Sequence, residues 1–312
     1  MEDALLDGGW WLLVCFGVTV ALQCSFFAVA FLCQFDKVTD LAGTLNFFVL
    51  AALSLVVQGV FTARAIVVSV LAMLWALRLG SHLFTRVLKR GKDERFDEMR
   101  ADCLKFFGFW VFQILWVFVV SLPVMLVNSV DASASPAFGE ARDIVGIVVW
   151  AVGFGVEWLA DASKEAFYAD ASNRGKLLCS GVWRWSRHPN YFGEILCWIG
   201  LTVLAAPSLD SDAWLYVSVL SPALTFVLLM FLSGVPMAED RYDERFGVQP
   251  FYLDYKRSTS PLVPLPPALY QALPPTVKLV CCFEFPMYSR RLRAIRAEQQ
   301  QPQPTTDYRT MP

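Results

Sequence analysis

Residues 181–206 read GVWRWSRHPNYFGEILCWIGLTVLAA. The stretch changes character at Pro189. Before it, Arg184, Arg187 and His188 alternate with Trp183 and Trp185; after it, an apolar run begins that carries Asn190 and Glu194 near its start. Proline costs nothing at the first position of a helix, because the amide there has no partner in any case. A helix is therefore predicted to begin at Pro189, which puts Asn190 and Glu194 at i and i+4 on one face. Carried on through Ala206, that helix nears the ~30 Å thickness of a hydrocarbon core. Its free N-terminus favours an anion, and Arg187 and His188 stand at the rim as donors. The arrangement suits a negatively charged ligand arriving from the water side.

Outward from this stretch the same apolar character recurs. Runs near 10–33, 41–60, 64–80, 104–127, 143–160 and 213–235 join 191–206 to make seven segments of spanning or near-spanning length. Hydrophobic residues make up 56% of the 312, charged residues only 17%, and mean hydropathy is +0.48. Soluble domains carry roughly 25% charged residues, so this chain has too little charge to cover a soluble surface of its size. The expected fold is all-α, a polytopic membrane bundle of about seven transmembrane helices. A secreted globular enzyme, a nucleic-acid binder and a disordered scaffold are excluded.

The charges suggest an orientation. Residues 1–9 carry three acids and no base, which is not the positive start of a cleavable signal peptide. With seven crossings, one set of connections collects Lys37, the basic residues between Arg86 and Lys105, those between Lys164 and Arg187, and the basic C-terminal region; the other set holds only Arg64 and Arg142. The positive-inside rule then predicts a lumenal N-terminus and a cytosolic C-terminus. The eight cysteines show no CxxC or metal-like spacing, and a disulfide framework is not expected. Cys281 and Cys282 lie beside an apolar patch and the basic run Arg290, Arg291, Arg293; S-acylation and two free thiols both fit that setting. The reading divides the chain into a transmembrane domain over 1–265, a membrane-proximal cytosolic tail over 266–296, in which VKLVCCFEF is a segment suited to lying on the bilayer, and a disordered C-terminus over 297–312.

Ionisable residues inside a membrane are expensive and mark functional candidates. Besides Asn190 and Glu194, a polar stripe interrupts the fifth run: Glu157, Asp161, Lys164 and Tyr168, at steps that put all four on one helical face. For Lys164 and Tyr168 a solvated helix end is the competing explanation. A third group, Arg78, His82, Arg86, Asp93 and Arg95, joins the third run to the first charged loop. A fourth, in the tail, comprises Glu239, Arg241, Tyr242, Phe246, Gly247, Tyr252, Tyr255 and Lys256. Gly153-Phe154-Gly155 lies within an apolar helix with no strand before it, so no dinucleotide-binding turn can form there. With only two histidines in the chain, a multi-histidine metal centre is not expected.

Four pieces of sequence are similar to one known family: WALRLGSHLFTRVLKRGKDERF (75–96), VEWLAD with Lys164, GVWRWSRHPNYFGEILCWIG (181–200), and LSGVPMAEDRYDERFG followed by Tyr252, Tyr255, Lys256 and Pro264. On these the chain resembles the steroid 5-alpha-reductase-like membrane proteins, in the branch described mainly as a domain of unknown function. The resemblance covers roughly residues 64–265. It implies NADPH held in a pocket open to the cytosol, and hydride transfer to a carbon–carbon double bond, usually one conjugated to a carbonyl, of a lipid-soluble substrate such as a steroid, sterol, polyprenol or enoyl lipid. Residue by residue, it implies that Asn190 meets the nicotinamide end, Asp161 the ribose or adenine side, and Tyr255, Lys256 and Arg187 the phosphates or ribose. Glu157, Lys164, His188, Tyr191, Glu239 and Tyr252 complete the expected cofactor set. The N-terminal proton-donating residues of the steroid reductases have no clear match, and Arg78 and His82 stand nearest their place. With Glu194 they form the expected catalytic set; Glu194 is read equally as a proton donor or as a support for Asn190. The endoplasmic reticulum membrane is the expected location.

Two rival readings share the motif. The isoprenylcysteine and phospholipid methyltransferases, which use S-adenosylmethionine, have a similar RHPxY-G string but carry Arg-x2-Glu-Glu before the tail glycine, where this chain has Met237-Ala238-Glu239-Asp240-Arg241. A non-catalytic membrane protein that retains the pocket is the other.

Overall fold

A computed structural model of the chain describes residues 8–33, 38–90 and 102–300. Asp93 and Arg95 lie outside the described residues, as does 301–312. Among those described, seven helices are long and apolar enough to cross a membrane, and no strand forms beyond an isolated bridge between Ser186 and Ser260. The all-α, seven-span reading holds. The chain divides into two compact units, Met1–Ala162 with Gly193–Phe226, and Ser163–Phe192 with Val227–Pro312.

In the first unit, α1 (Gly8–Leu32) is apolar on every side, as a lipid-facing span must be. Helix α2 (Thr39–Gln58) stops at Gly59, whose φ of +66° is the left-handed conformation that glycine adopts without strain. Helix α3 (Ala63–Arg90) runs ten residues beyond the apolar stretch that ends at 80, because apolar residues continue at helical spacing and Arg78, His82 and Arg86 share one polar face. The run 104–127 is divided. Helix α4 (Cys103–Val120), capped by the Asp102 carboxylate on the amides of Leu104 and Lys105, ends at Ser121, and α5 (Leu122–Val127) follows. Pro123 explains the break, since it lacks the amide and its ring crowds the preceding turn.

Helices α6 (Ala141–Ala169) and α7 (Pro189–Leu209) are the frame of the candidate site, and α7 begins at the proline the sequence points to. Within the first unit they touch through backbone. A Cβ on Gly153 would sit 2.6 Å from the Gly193 carbonyl oxygen; one on Gly200 would sit 2.5 Å from the Trp150 amide; one on Gly146 would meet the Leu204 amide at 2.6 Å. Gly146 and Gly153 are seven apart, as are Gly193 and Gly200, so each helix presents a small-residue seam to the other. Above this seam Trp75 meets Trp198 edge-to-face at 4.9 Å and Phe47 at 5.2 Å. Near the start of α3, buried Arg64 gives Asp143 two hydrogen bonds, at 2.7 and 2.9 Å, and reaches Ser135 and the Pro136 carbonyl, which ties down the loop before α6.

The last span, Ala213–Phe246, is not one uniform helix. A π-turn at Leu228–Leu232 follows α8 (Leu220–Val227), and α9 (Val235–Phe246) restarts after Gly234, where a side chain would strike the Leu229 carbonyl at 2.4 Å. Pro236 in the first turn of α9 enforces that restart. Shorter helices follow: α10 (Pro250–Ser258), α11 (Pro267–Ala272), α12 (Pro275–Cys281) and α13 (Arg290–Gln300). The last of these places residues 297–300 in a helix.

Candidate functional site

Besides the Arg64–Asp143 pair, two larger clusters of ionisable side chains are buried among the described residues, one in each unit. The first is built by α3, α6 and α7. Arg78 bridges Glu157 and Asp161 with its two terminal nitrogens and also donates to the Glu157 carbonyl at 3.1 Å. The Trp75 indole donates to Glu157 Oε2 at 3.2 Å, and Cys197 Sγ lies 4.0 Å from the same oxygen. His82, one turn beyond Arg78, brings Nε2 to 3.8 Å from Asp161 Oδ2. Glu194 is within electrostatic reach of Arg78, Glu157 and Asp161. Five of the expected residues thus share one cluster: Arg78, His82, Glu157, Asp161 and Glu194. The close approach at Gly153 and Gly193 sets Glu157 hard against α7, which carries Glu194, since a Cβ on Gly193 would lie 2.7 Å from that of Glu157. Burying charges this deep is unfavourable unless each is paired, and Arg78 supplies that pairing for Glu157 and Asp161.

The second cluster surrounds the SRHPN motif. The chain at Trp185–Arg187 is stapled to residues 260–265: the Arg187 amide donates to the Ser260 carbonyl at 2.8 Å, Ser186 Oγ to the Leu262 carbonyl at 2.7 Å, and the Leu265 amide to the Trp185 carbonyl at 3.0 Å. That staple fixes Arg187, which donates to Glu239 at 2.8 Å, to Glu284 at 3.0 Å and to the carbonyls of Lys256 and Thr259 at 2.8 and 3.0 Å. His188 Nε2 shares the same Glu239 oxygen at 2.9 Å. Lys256 lies 2.9 Å from the other Glu239 oxygen, 2.6 Å from Asp243 and 2.7 Å from the Tyr288 carbonyl; Tyr252 donates to Asp243 at 2.6 Å.

The electrostatics follow from burial. Burial alone would lower the Arg187 pKa, but the Glu239 and Glu284 carboxylates reverse that and hold the guanidinium charged. For His188 burial wins: its pKa falls below 6.5, and the bond to Glu239 offsets this only in part. The phenols of Tyr252 and Tyr255 are pushed up, chiefly by burial, and stay neutral donors.

The geometry sorts the expected cofactor residues. Arg187, His188, Glu239, Tyr252 and Lys256 come together, but they face one another; Arg187 is 3% exposed, with its N–H groups directed at protein oxygens. Tyr255 donates to the Trp183 carbonyl at 2.6 Å, Lys164 Nζ lies 4.9 Å over the Trp183 ring, and Tyr191 stacks on His188 at 5.5 Å. Asn190 is neutral and has no ion-pair partner, unlike Glu239, whose hydrogen-bond-free Oε2 still faces the Lys256 ammonium at 2.9 Å. Asn190 Oδ1 is buried and has no hydrogen-bond partner among the described residues. Sequence reasoning missed Trp75, Cys197, Asp243, Glu284 and Tyr288. Asp243 was within reach of it, four residues after Glu239 on the same face of α9. Glu284 carries no such signal. The segment 266–296 is also more than a tail, since Glu284, the Tyr288 carbonyl and the Leu292 amide complete the buried network.

A helical membrane protein with buried, paired charges in its spans and a stapled SRHPN turn is the class that fold and site define. The chain belongs to the family described as a protein of unknown function (DUF1295), which matches residues 26–259. It is also similar to an uncharacterized protein of Schizosaccharomyces pombe, 25% identical over 180 residues. The match covers 49% of this chain and 52% of the relative, so the chain spans about half the length of the curated relative it matches. No solved structure matches the chain.

Proposed function

We propose that the protein is a membrane-embedded reductase that uses NADPH to reduce a carbon–carbon double bond of a lipid-soluble substrate, one conjugated to a carbonyl. The observation that carries this reading is Asn190 Oδ1. A buried acceptor without a donor costs free energy on the order of 1–3 kcal/mol, and the amide N–H2 of a nicotinamide carboxamide is a donor of the right kind to relieve it. The positive end of the α7 dipole adds a preference for an anion. The fit is good at this end of the cofactor. The phosphates would fall to Lys164 and the exposed Arg184, cations of the same unit as Asn190, because Arg187 and Lys256 are consumed internally. NADPH, when bound, would supply the hydride.

The residues of this chain would do the remaining work. Glu157 and Asp161 hold the Arg78 guanidinium in place. His82 is the proposed donor to the oxygen on which negative charge builds, and Asp161 orients it. Glu194 stands in the same cluster as a second source of the proton. Bilayer spans admit a lipid substrate laterally and exclude water. We place the N-terminus on the lumenal side and the C-terminus in the cytosol, from the distribution of basic residues, and the protein in the endoplasmic reticulum.

The test is a thermal-shift titration of detergent-purified protein with NADPH, NADH and S-adenosylmethionine, run in parallel on Asn190→Ala. A ligand at one hundred times its Kd stabilises by about 2.7 kcal/mol, which such a titration resolves. Stabilisation by NADPH that disappears in the variant supports the reading. Stabilisation by S-adenosylmethionine alone replaces it with a methyltransferase, and no shift with any of the three removes the enzyme reading.

A further inference from the structure

The region beyond the family match has one face that the fold leaves bare. Helix α12 buries none of its side chains. Val280 is 64% exposed and Leu279 37%, with the Cys281 thiol exposed beside them. The next turn continues this surface: Met287 is 40% exposed, and Arg293 donates to the Pro286 carbonyl at 3.0 Å, which sets a guanidinium against the apolar residues. From there α13 projects Arg290, Arg293 and Arg296 outward, while Arg291 pairs with Glu244 at 3.1 Å, and Glu298 is the only acid of the helix. Leu292 is the residue that anchors α13, through its buried side chain and the bond of its amide to Asp243.

We propose that α12, the turn Pro286–Ser289 and α13 form a surface that binds the headgroups of anionic phospholipids, with Leu279, Val280 and Cys281 entering the acyl boundary. Two observations select a lipid surface as the occupant. The chain already lives in a bilayer through its spans, so the lipid is present at high local concentration. The face also pairs a short apolar strip with a cluster of arginines, and that combination complements an anionic leaflet: the apolar side chains leave water while the guanidiniums meet phosphate. The elements are not peripheral to the fold, because Glu284 and Tyr288 anchor them to Arg187 and Lys256. Their orientation is therefore set before any lipid arrives. The proposal is independent of the reductase reading, since it uses none of the residues assigned to cofactor or substrate.

The test uses the full chain with Cys24, Cys33, Cys103 and Cys179 replaced by serine and a nitroxide on Cys281. The protein is placed in nanodiscs of phosphatidylcholine alone, or of phosphatidylcholine with phosphatidylserine. Collisions of the label with oxygen and with a water-soluble nickel chelate are compared with those of a label at Asp254→Cys, an exposed position on α10. With phosphatidylserine, nickel collisions at Cys281 should fall several-fold below the control while oxygen collisions rise. The exposed triple variant Arg290→Gln/Arg293→Gln/Arg296→Gln should restore nickel access. Nickel access equal to the control in both lipids overturns the proposal. So does protection that ignores phosphatidylserine and survives the triple variant, and so does spin–spin broadening between Cys281 labels, which would make a second copy of the chain the occupant.

Discussion

Arg187 donates from Nε to Glu239 Oε1 at 2.8 Å, with the two side chains 3% and 2% exposed. The pair joins the turn before α7 to α9, and neither member has a solvent route to its counter-charge. Glu239 also hydrogen-bonds His188 and pairs in charge with Lys256, so one carboxylate faces three nitrogen groups. Removing it leaves the Arg187 and Lys256 charges undercompensated in a dry interior. Glu239→Ala should therefore destabilise the fold by about 3–5 kcal/mol, the usual cost of breaking a buried pair from one side. Thermal melts in detergent measure this directly. A loss below about 1 kcal/mol would mean that water reaches the network.

His188 makes stability depend on pH in a definable window. Its folded-state pKa lies below 6.5, because burial disfavours the imidazolium more than Glu239 favours it. The unfolded chain therefore takes up a proton that the folded chain refuses: stability is flat above about 7.5, falls as pH drops from about 6.5 to the folded value, and levels off below it. His188→Gln keeps a neutral donor toward Glu239 and should flatten the melting temperature across that window. If wild type and variant follow the same slope, the titrating group is elsewhere.

Most of the fold was legible because spans announce themselves by length and apolarity, and because Pro189 marks a helix start by its chemistry. The ends of α3 and α6 were harder to see. The polar faces of both helices are visible in local periodicity, but that Arg78 and His82 on one helix pair with Glu157 and Asp161 on the other is not, because pairing across helices leaves no trace there. The same reason hid the fate of Arg187. A motif arginine at a helix rim looks free until Glu284, 97 residues away in sequence, is found against it. Trp75 was equally unreadable, since its role at Glu157 depends on the crossing of α3 over α6.

Arg64 offers a second test of buried pairing, in the other unit. It meets Asp143 with both side chains 1% exposed, and Asp143 Oδ2 also accepts the amides of Gly139 and Glu140 at 2.8 and 3.0 Å. Arg64→Leu strands that carboxylate and should cost about 3–5 kcal/mol; adding Asp143→Asn to it should recover a substantial part, since the amide oxygen still accepts the two backbone bonds without a charge. A double variant no more stable than Arg64→Leu alone would show that the loss is packing rather than charge.

The glycine seam makes the sharpest contrast, because two glycines two residues apart predict opposite outcomes. A Cβ on Gly153 would lie 2.6 Å from the Gly193 carbonyl oxygen and 2.8 Å from the Cys197 amide, both backbone atoms that cannot rotate away. Gly153→Ala must therefore push α6 and α7 apart within the first unit, at a cost typical of overpacking, about 1–3 kcal/mol or more. The separation also shifts Glu157 relative to Glu194 and Cys197 on α7. A Cβ on Gly155 meets nothing within 4 Å, so Gly155→Ala gains only the helix propensity of alanine, up to about 1 kcal/mol. Melting temperatures of the two variants should bracket the wild type, Gly153→Ala below it and Gly155→Ala at or above it. If reductase activity is found, it should fall with Gly153→Ala even below its melting temperature, because the carboxylates are displaced in the folded state, whereas Gly155→Ala should keep it. Equal stability of the two variants would mean that α6 and α7 do not meet backbone to backbone, and the account of how Glu157 and Glu194 come into one cluster would fail with it.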